Sequence, residues 1–140
     1  MTVGICGNEE EIRTCYAVIS QLRPHLDEDS FVQRVLLQGA EAFMLAYLKD
    51  AHEKVVGVCG FRIMNNLGFG RIVFVDDLVV DESERSKGYG KILFDWLSMY
   101  AKENGCGRIH LDSAVHRVGA HKFYMEQRMA ITSFFFSKEI

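Results

Sequence analysis

The stretch from residue 71 to residue 112 restricts the folds open to this chain more than any other part of the sequence. Residues 71–80 are apolar apart from Arg71 and Asp76-Asp77 and are typical of a β-strand. An amphipathic helical pattern follows and ends at Asn104-Gly105, and residues 108–111 predict a further strand. A strand, a helix and a strand in this order predict an α+β or mixed α/β fold.

The elements around this unit are also predicted from hydrophobic spacing. Asn8 has the character of a helix cap, and we expect a helix from there to Arg23. The other expected elements are a helix from Asp27 to Gly39, strands at 43–49 and 55–63 that form an antiparallel meander with 71–80, a helix at 119–125 and a last strand at 131–136.

The length and charge of the chain limit its organisation and its partners. With 140 residues we expect one domain spanning 1–140. The net charge of −3 and the pI near 5.9 provide no broad cationic surface for a phosphate backbone, so nucleic acid is not expected as a partner.

The four cysteines are isolated and lack the spacing of metal ligands, so we expect reduced thiols and no metal site. No apolar stretch approaches the roughly 18 residues needed to span a bilayer, and the first residues lack the features of a secretory signal. We therefore expect a cytoplasmic protein without a membrane partner.

A loop with two glycines lies between the predicted strand and the amphipathic helix. Its residues are Arg85, Ser86, Lys87, Gly88, Tyr89, Gly90 and Lys91. The start of a helix offers free amides and the positive end of the helix dipole, and glycines let an anion approach the backbone closely. From these residues alone, the loop either binds a phosphate group or is a solvated basic turn.

Two well-known phosphate loops do not fit this segment. The Walker pattern requires four residues between its glycines and a following Gly-Lys-Ser/Thr. The dinucleotide fingerprint requires a third glycine where Leu93 stands. The pattern present is R-x-x-G-x-G, directly after a strand that ends in Leu-Val-Val.

Residues 75–90, VDDLVVDESERSKGYG, closely resemble the acetyl-CoA-binding motif of the GNAT superfamily of N-acetyltransferases. The run Ala120-His121-Lys122-Phe123-Tyr124 is similar to the Ala-x-x-Phe-Tyr signature on the last helix of that family. The resemblance implies an acyltransferase with a highly twisted mixed sheet of six or seven strands and about four helices. It also implies that the sheet is splayed where the fourth and fifth strands part.

The same resemblance implies where acetyl-CoA, the co-substrate, would bind. In that family the pantetheine arm bonds backbone groups of the fourth strand, here Leu78, Val79 and Val80, and the pyrophosphate rests on the amides of residues 85–91. Arg117 stands where many members have Asn, and it could reach a CoA phosphate or a carboxylate on the acceptor.

Two catalytic roles are implied in the same way. The backbone N–H near Leu78 would polarise the acetyl carbonyl, and Tyr124 matches the tyrosine that can protonate the leaving thiolate. The alternative reading of Tyr124 is an aromatic residue that only packs its helix. Where the family often has Gly-Phe, this chain has Arg128-Met129, which predicts a different helix end and a slight displacement of Tyr124.

Asp76 and Asp77 are the candidates for binding the acceptor amine or relaying its proton. Alternation along a strand sends neighbouring side chains to opposite faces unless a bulge intervenes, so one of the two should face the cleft. The alternative is a carboxylate bonded to nearby backbone. His116 and His121 are weaker candidates for the base, because a lone His is more often structural.

We therefore predict transfer of an acetyl group from acetyl-CoA to a primary amine, by direct attack in a ternary complex. The alternatives are a non-catalytic acyl-CoA-binding sensor or interaction module, and an anion-binding domain unrelated to CoA. The acceptor, a small molecule or a protein, is not identified, although the acidic balance mildly favours a cationic one. The apolar residues 134–136 could pair across a homodimer.

Overall fold

The computed structural model describes all residues of the chain, 1–140. Its elements, in order, are β1 (Thr2–Ile5), α1 (Glu9–Thr14), α2 (Tyr16–Leu22), α3 (Glu28–Gly39), β2 (Phe43–Lys49), β3 (Val55–Asn66), β4 (Gly70–Val80), a 3-10 turn (Glu82–Glu84), α4 (Tyr89–Glu103), β5 (Arg108–Leu111) and α5 (Val118–Glu126). None of the helices combines the length and the apolar character needed to span a bilayer.

The chain forms two compact units, residues 1–110 and 111–140. The first unit contains the helices α1 to α4 and nearly the whole sheet, and the second contains α5 and the residues after it. That the two units act as one domain stays a prediction.

The five strands form one sheet in the order β1-β2-β3-β4-β5. The first three pairs are antiparallel, which confirms the predicted meander. The chain leaves β4, passes through α4 and returns as β5 beside β4, and a connection of this length is what a crossover requires. The predicted α+β class is confirmed.

Helices cover both faces of the sheet. Residues from α1, α2 and α3 share one apolar cluster with sheet residues that include Phe43, Leu45, Val58 and Val79. Side chains of adjacent strand residues point to opposite faces, so Gly57 lies on the other face, where Leu93 of α4 packs against it. The Phe61 ring also meets rings of α4 there, at Trp96 and Tyr100.

The helix expected from Asn8 to Arg23 is interrupted at Cys15. The Asn8 side chain accepts from the Glu11 amide, as expected of a cap. The Thr14 hydroxyl, however, donates to the Glu11 carbonyl over 2.6 Å, and the Cys15 amide bonds Ile12 over 3.0 Å instead. This competition for the Glu11 carbonyl separates α1 from α2.

The last predicted strand is wrong. Residues 131–136 form no regular structure and are exposed, so they add no strand to the sheet. The sheet consequently has five strands rather than the six or seven expected, and the division at Cys15 brings the helices to five rather than about four.

Candidate active site

A β-bulge lies in β4 at the two adjacent carboxylates. Gly60 of β3 pairs with Asp77, but Phe61 pairs with Val75, so Asp76 is the extra residue on β4. A bulge removes the strict alternation of side chains, and both carboxylates reach arginines in consequence. The sequence pattern had left this possibility open.

Asp76 forms a two-point ion pair with Arg62 of β3. The Nε and Nη2 atoms of Arg62 lie 3.0 and 2.8 Å from the two carboxylate oxygens. Both oxygens of Asp76 therefore accept from one guanidinium. This two-point geometry is the strongest form of an arginine–carboxylate ion pair. Arg62 therefore fixes the position of the Asp76 carboxylate.

Asp77 is held differently, by Arg23 at the end of α2. The Arg23 Nε donates to Oδ1 of Asp77 over 2.9 Å, and its Nη2 donates to the Asp76 carbonyl over 3.2 Å. Burial raises the pKa of Asp77 above its usual value, and the guanidinium of Arg23 only partly offsets this. Asp77 is thus the carboxylate of the pair whose proton affinity is increased.

Gly60 makes room for this arrangement. A Cβ at position 60 would lie 2.5 Å from the Phe43 ring and 2.9 Å from Oδ2 of Asp77. Any side chain there would displace the buried ring or the carboxylate. The absence of a side chain opposite the bulge is therefore part of how Asp77 is positioned.

Asp81 organises the chain directly after β4. Its Oδ1 accepts from the amide and the hydroxyl of Ser83 over 3.0 and 2.9 Å and from Gln21 of α2 over 3.4 Å, while Lys54 lies 3.1 Å from Oδ2. Burial alone would raise the pKa of Asp81, but these donors lower it to about 2. The carboxylate fixes the turn that leads into the glycine loop.

The loop ends in a helix start that lacks a side-chain cap. Gly88 occupies the N-cap of α4 with φ +81°, and Ser86 also has a positive φ, +65°. No side chain bonds the first amides of α4, and the Ile92 amide is the first to bond back, to the Gly88 carbonyl. The amides of residues 89–91 therefore have no partner within the helix, and free amides of this kind are able to receive an anion.

Two of the three cations expected around this position are already paired. Lys87 bonds Glu84, and Lys91 bonds Asp95 one helical turn along. Arg85 is exposed and forms no ion pair. Because both lysines are paired, attraction for an anion rests first on the amides and on Arg85. Surface ion pairs of this kind are weak, so either lysine is able to exchange its partner for an anion.

Part of β4 has no strand beside it on the β5 side. The Gly107 amide, just before β5, bonds the Arg71 carbonyl near the beginning of β4, and β5 has only four residues. Paired strands have nearly the same rise per residue, so the four residues of β5 lie beside only the first half of the eleven-residue β4. The backbone from Asp76 to Val80 is left with an open edge next to the loop.

The remaining predicted residues lie in the second compact unit. Arg117 is the N-cap of α5 and makes no capping bond. Tyr124 lies on α5, half-buried, with its ring 5.7 Å from that of Phe123. His121 bonds the Ala114 carbonyl through Nε2, a structural contact, while His116 is exposed.

The end of α5 keeps the geometry that a glycine normally supplies. Arg128 has φ +62°, its amide bonds the Met125 carbonyl, and the Met129 amide bonds the Tyr124 carbonyl. This is the Schellman arrangement, with Arg128 in the left-handed position. The expectation of a different helix end is therefore wrong, and the reason to expect a displaced Tyr124 is removed.

The structure thus gathers Asp76 to Val80 and residues 85–91 in one region of the first unit. The sequence did not predict the positioning roles of four residues in this region, namely Gln21, Arg23, Arg62 and Asp81. The Asp-x-Ser spacing after the strand could have indicated Asp81, because such residues cap turns. The arginines gave no signal, since Arg23 lies 54 residues from its partner.

Known proteins resemble this chain along most of its length. The acetyltransferase (GNAT) family matches residues 9–129. The uncharacterized N-acetyltransferase YhdJ of Bacillus subtilis strain 168 is 33% identical over 135 residues, which cover 95% of this chain and 94% of YhdJ.

Two solved structures share the fold along the full length of both chains. A ribosomal-protein-alanine N-acetyltransferase from Brucella melitensis biovar Abortus 2308 has a TM-score of 0.84 at 17% identity, with 100% of each chain covered. A glucosamine-6-phosphate N-acetyltransferase from Arabidopsis thaliana has a TM-score of 0.76 at 21% identity, with 99% of each chain covered. The family and the fold expected from residues 75–90 are confirmed: the chain belongs to the acetyltransferase (GNAT) family of acyltransferases.

Proposed function

We propose that the protein transfers an acetyl group from acetyl-CoA to a primary amine, by direct attack within a ternary complex. The observation that carries the proposal is the uncapped start of α4 at Gly88, next to the open edge of β4. This helix start and strand edge together fit an extended molecule that carries phosphate groups. A helix start receives the phosphates, and an open strand edge receives an amide-containing arm.

The residues present fit acetyl-CoA in two respects. The left-handed Gly88 leaves no Cβ at the point where the backbone turns into α4, and no atom lies within 4 Å of where one would be. The amides of residues 85–91 would hold the pyrophosphate, and backbone groups of Leu78, Val79 and Val80 would hold the pantetheine arm. Arg117 would contact a CoA phosphate or the acceptor.

Bound acetyl-CoA would supply a thioester carbonyl that a neutral amine can attack. The Leu78 amide would then donate a hydrogen bond to the carbonyl oxygen, where negative charge develops. The bulge immediately before Leu78 changes the direction of the β4 backbone at this point. The main contribution of the chain is to hold the two reactants in contact.

Asp77 is the group that we assign to proton acceptance from the amine. Arg23 occupies only Oδ1 of Asp77, whereas both oxygens of Asp76 are engaged by Arg62. The raised pKa of Asp77 brings its proton affinity closer to what a general base needs at neutral pH. Asp76 would instead orient Arg62 beside the acceptor.

Tyr124 is the group that we assign to protonation of the thiolate. Its position in Ala-x-x-Phe-Tyr matches the family signature, and the preserved end of α5 keeps it within a regular helix. A phenol donates its proton readily to a thiolate that is leaving.

A cationic acceptor gains no support from the charges in this region. Asp76 and Asp77 are each neutralised by an arginine, and the Glu9–Glu11 run forms the first turn of α1. We leave the acceptor as a primary amine of a small molecule or a protein. The four free cysteines support a reducing, cytoplasmic location.

The test is thiol release from acetyl-CoA in the presence of a panel of primary amines, with the mass of the acceptor measured in parallel. We expect an acceptor-dependent thiol signal and an increase in acceptor mass by one acetyl group. Binding of acetyl-CoA without turnover on any amine would favour the non-catalytic sensor. Absence of binding would contradict the proposal as a whole.

A further inference from the structure

Two thiols that the sequence leaves isolated are in contact in the folded chain, outside the region assigned to catalysis. Cys6 directly follows β1, and Cys15 lies at the junction of α1 and α2, both within the unit of residues 1–110. Their sulfur atoms lie 3.8 Å apart, the distance of a weak hydrogen bond in which either sulfur can donate. An approach of less than about 2 Å would join them in a disulfide.

The two thiols differ in their access to solvent. Cys6 is partly exposed, whereas the exposed fraction of Cys15 is 0%. A soluble oxidant therefore meets the Cys6 sulfur first, and the Cys15 sulfur lies directly behind it. An accessible thiol with a second thiol in contact is the arrangement of cysteines that respond to oxidation.

The contact also divides the protons unequally between the two sulfurs. The hydrogen bond from Cys6 lowers the pKa of Cys15 despite its burial, and the positive charge of Lys49 acts in the same direction. The same hydrogen bond, together with burial, raises the pKa of Cys6. The thiolate form is therefore favoured at Cys15, where it faces the S–H group of Cys6.

We propose that Cys6 and Cys15 are a site of reversible oxidation, at which a hydroperoxide converts the two thiols into a disulfide. The Cys15 thiolate accepts the Cys6 proton while the Cys6 sulfur attacks the peroxide, so that an S–O bond forms and the O–O bond breaks. With hydrogen peroxide, the leaving hydroxide takes the proton from Cys15 and departs as water. Cys6 is then a sulfenic acid beside a regenerated thiolate.

The second step closes the disulfide. The Cys15 thiolate attacks the Cys6 sulfur, the S–S bond forms, and the S–O bond breaks with loss of hydroxide, which takes a proton from solvent. In total the two sulfurs lose two electrons, and one hydrogen peroxide is reduced to two water molecules. A dithiol reverses the change by exchange, because it is oxidised to its own disulfide while both cysteines return to thiols.

Closure of this disulfide moves Cys15 rather than Cys6. The Cys6 amide bonds the Leu45 carbonyl over 2.8 Å, so the sheet holds the backbone of Cys6 in place. Cys15 lies instead between two helices of six and seven residues, where the helical bonding is already interrupted. The junction at Cys15 is therefore the part that yields.

The movement reaches the region assigned to catalysis through α2. Cys15 begins this helix, since its carbonyl accepts from the Ile19 amide over 3.0 Å. The other end of α2 carries Arg23, whose Nε lies 2.9 Å from Oδ1 of Asp77. A displaced α2 consequently changes the contact between Arg23 and Asp77.

The first test treats the reduced chain with hydrogen peroxide, alkylates the remaining thiols and measures the intact mass. We expect the loss of two hydrogens and alkylation of two of the four cysteines. Trypsin cleaves after Arg13, between the two cysteines, so the new bond should join two separate peptides. Dithiothreitol should restore four alkylated cysteines and separate the peptides again.

Substitutions assign the two steps. Cys6→Ser removes the accessible thiol, and we expect no disulfide and an intact Cys15 thiol. Cys15→Ser should stop at the sulfenic acid of Cys6, detected as one added oxygen that reacts with dimedone. Because Cys15 is fully buried, circular dichroism checks that this variant folds, and Cys6→Ser gives the result independently if it does not.

Cys106→Ser is the matched control. Cys106 is partly exposed like Cys6, but its sulfur contacts the Asn104 carbonyl rather than a second thiol. This variant should form the disulfide as the natural protein does. Four alkylated cysteines after peroxide treatment, or oxidation that does not link the peptides of Cys6 and Cys15, would overturn the proposal.

The connection to Arg23 is tested without any measurement of acetyl transfer. The side-chain Nε–H signal of Arg23 in nuclear magnetic resonance should shift when the disulfide forms and return on reduction. The Nε–H signal of Arg71, which bonds the Asn104 carbonyl over 2.8 Å, should stay in place. An Arg23 signal that is unchanged in the oxidised protein would overturn transmission through α2.

Discussion

Replacing Asp77 by Asn separates the catalytic role of this carboxylate from its effect on stability. Burial raises the pKa of Asp77 despite the ion pair with Arg23, so the ionised side chain is less stable in the folded protein than in the unfolded chain. The folded state binds the Asp77 proton more tightly. The contribution of Asp77 to stability is therefore largest below 3.8, its ordinary pKa, and declines as the pH rises through the folded value.

Asn keeps an oxygen to accept from Arg23 Nε but removes the charge that costs free energy to bury. At neutral pH we expect the unfolding free energy of Asp77→Asn to stay within about 1 kcal/mol of the natural protein or to exceed it. Relative to the natural protein, the variant should become more stable as the pH rises. The rate of acetyl transfer should fall by about 100-fold or more if Asp77 accepts the amine proton.

Arg23→Ala provides the opposite perturbation. It removes the half-exposed guanidinium and leaves the Asp77 carboxylate without its ion pair. We expect a loss of about 1 to 2 kcal/mol at neutral pH, reduced from a fully buried case because the Arg23 side chain is 42% exposed. Combining Arg23→Ala with Asp77→Asn should restore most of this loss. Urea unfolding and thiol release measure both quantities, and an Asp77→Asn variant that is destabilised yet fully active would refute the reasoning.

Three further substitutions test the elements around the site. Asp81→Asn should cost about 1 to 2 kcal/mol in urea unfolding at neutral pH, because the pKa of Asp81 is lowered from 3.8 to about 2, and the difference should vanish as the pH falls through 2. Gly88→Ala, at φ +81°, should lower the free energy of unfolding in urea by about 1 to 2 kcal/mol through left-handed strain, whereas Gly107→Ala, with open space and no positive φ, should not. Arg128→Gly should remove about 1 kcal/mol of the same strain and slow hydrogen exchange of the Met129 amide; faster exchange would show that Arg128 contributes something beyond its backbone conformation.

Local sequence signals predicted most of the fold. The caps Asn8 and Asp27 accept from the expected amides, and the strands of the meander lie where alternation and apolar runs place them. The failure at 131–136 has a physical cause, because a strand needs an edge to pair with as well as strand propensity, and this segment pairs with no strand. The break at Cys15 depends on one hydroxyl that competes for a carbonyl, which spacing alone does not reveal.

The sequence motif predicted where the site lies in the chain, but it did not predict which charged side chains pair there. The glycine loop and the carboxylate pair were identified from their order in the chain. The ion pairs with Arg23 and Arg62 join residues 54 and 14 positions apart, so only the tertiary structure shows that both carboxylates are neutralised. The bulge that permits both contacts is likewise set by pairing with β3.

The most direct test of the account is the change in backbone amide chemical shifts when acetyl-CoA is added to the protein. We expect the shifts to concentrate in two segments, residues 78–80 and 85–91, with the Gly88 and Gly90 amides among those that move most. Saturable binding with shifts elsewhere, or no shift in the first turn of α4, would contradict the assignment of this helix start and strand edge as the acetyl-CoA site.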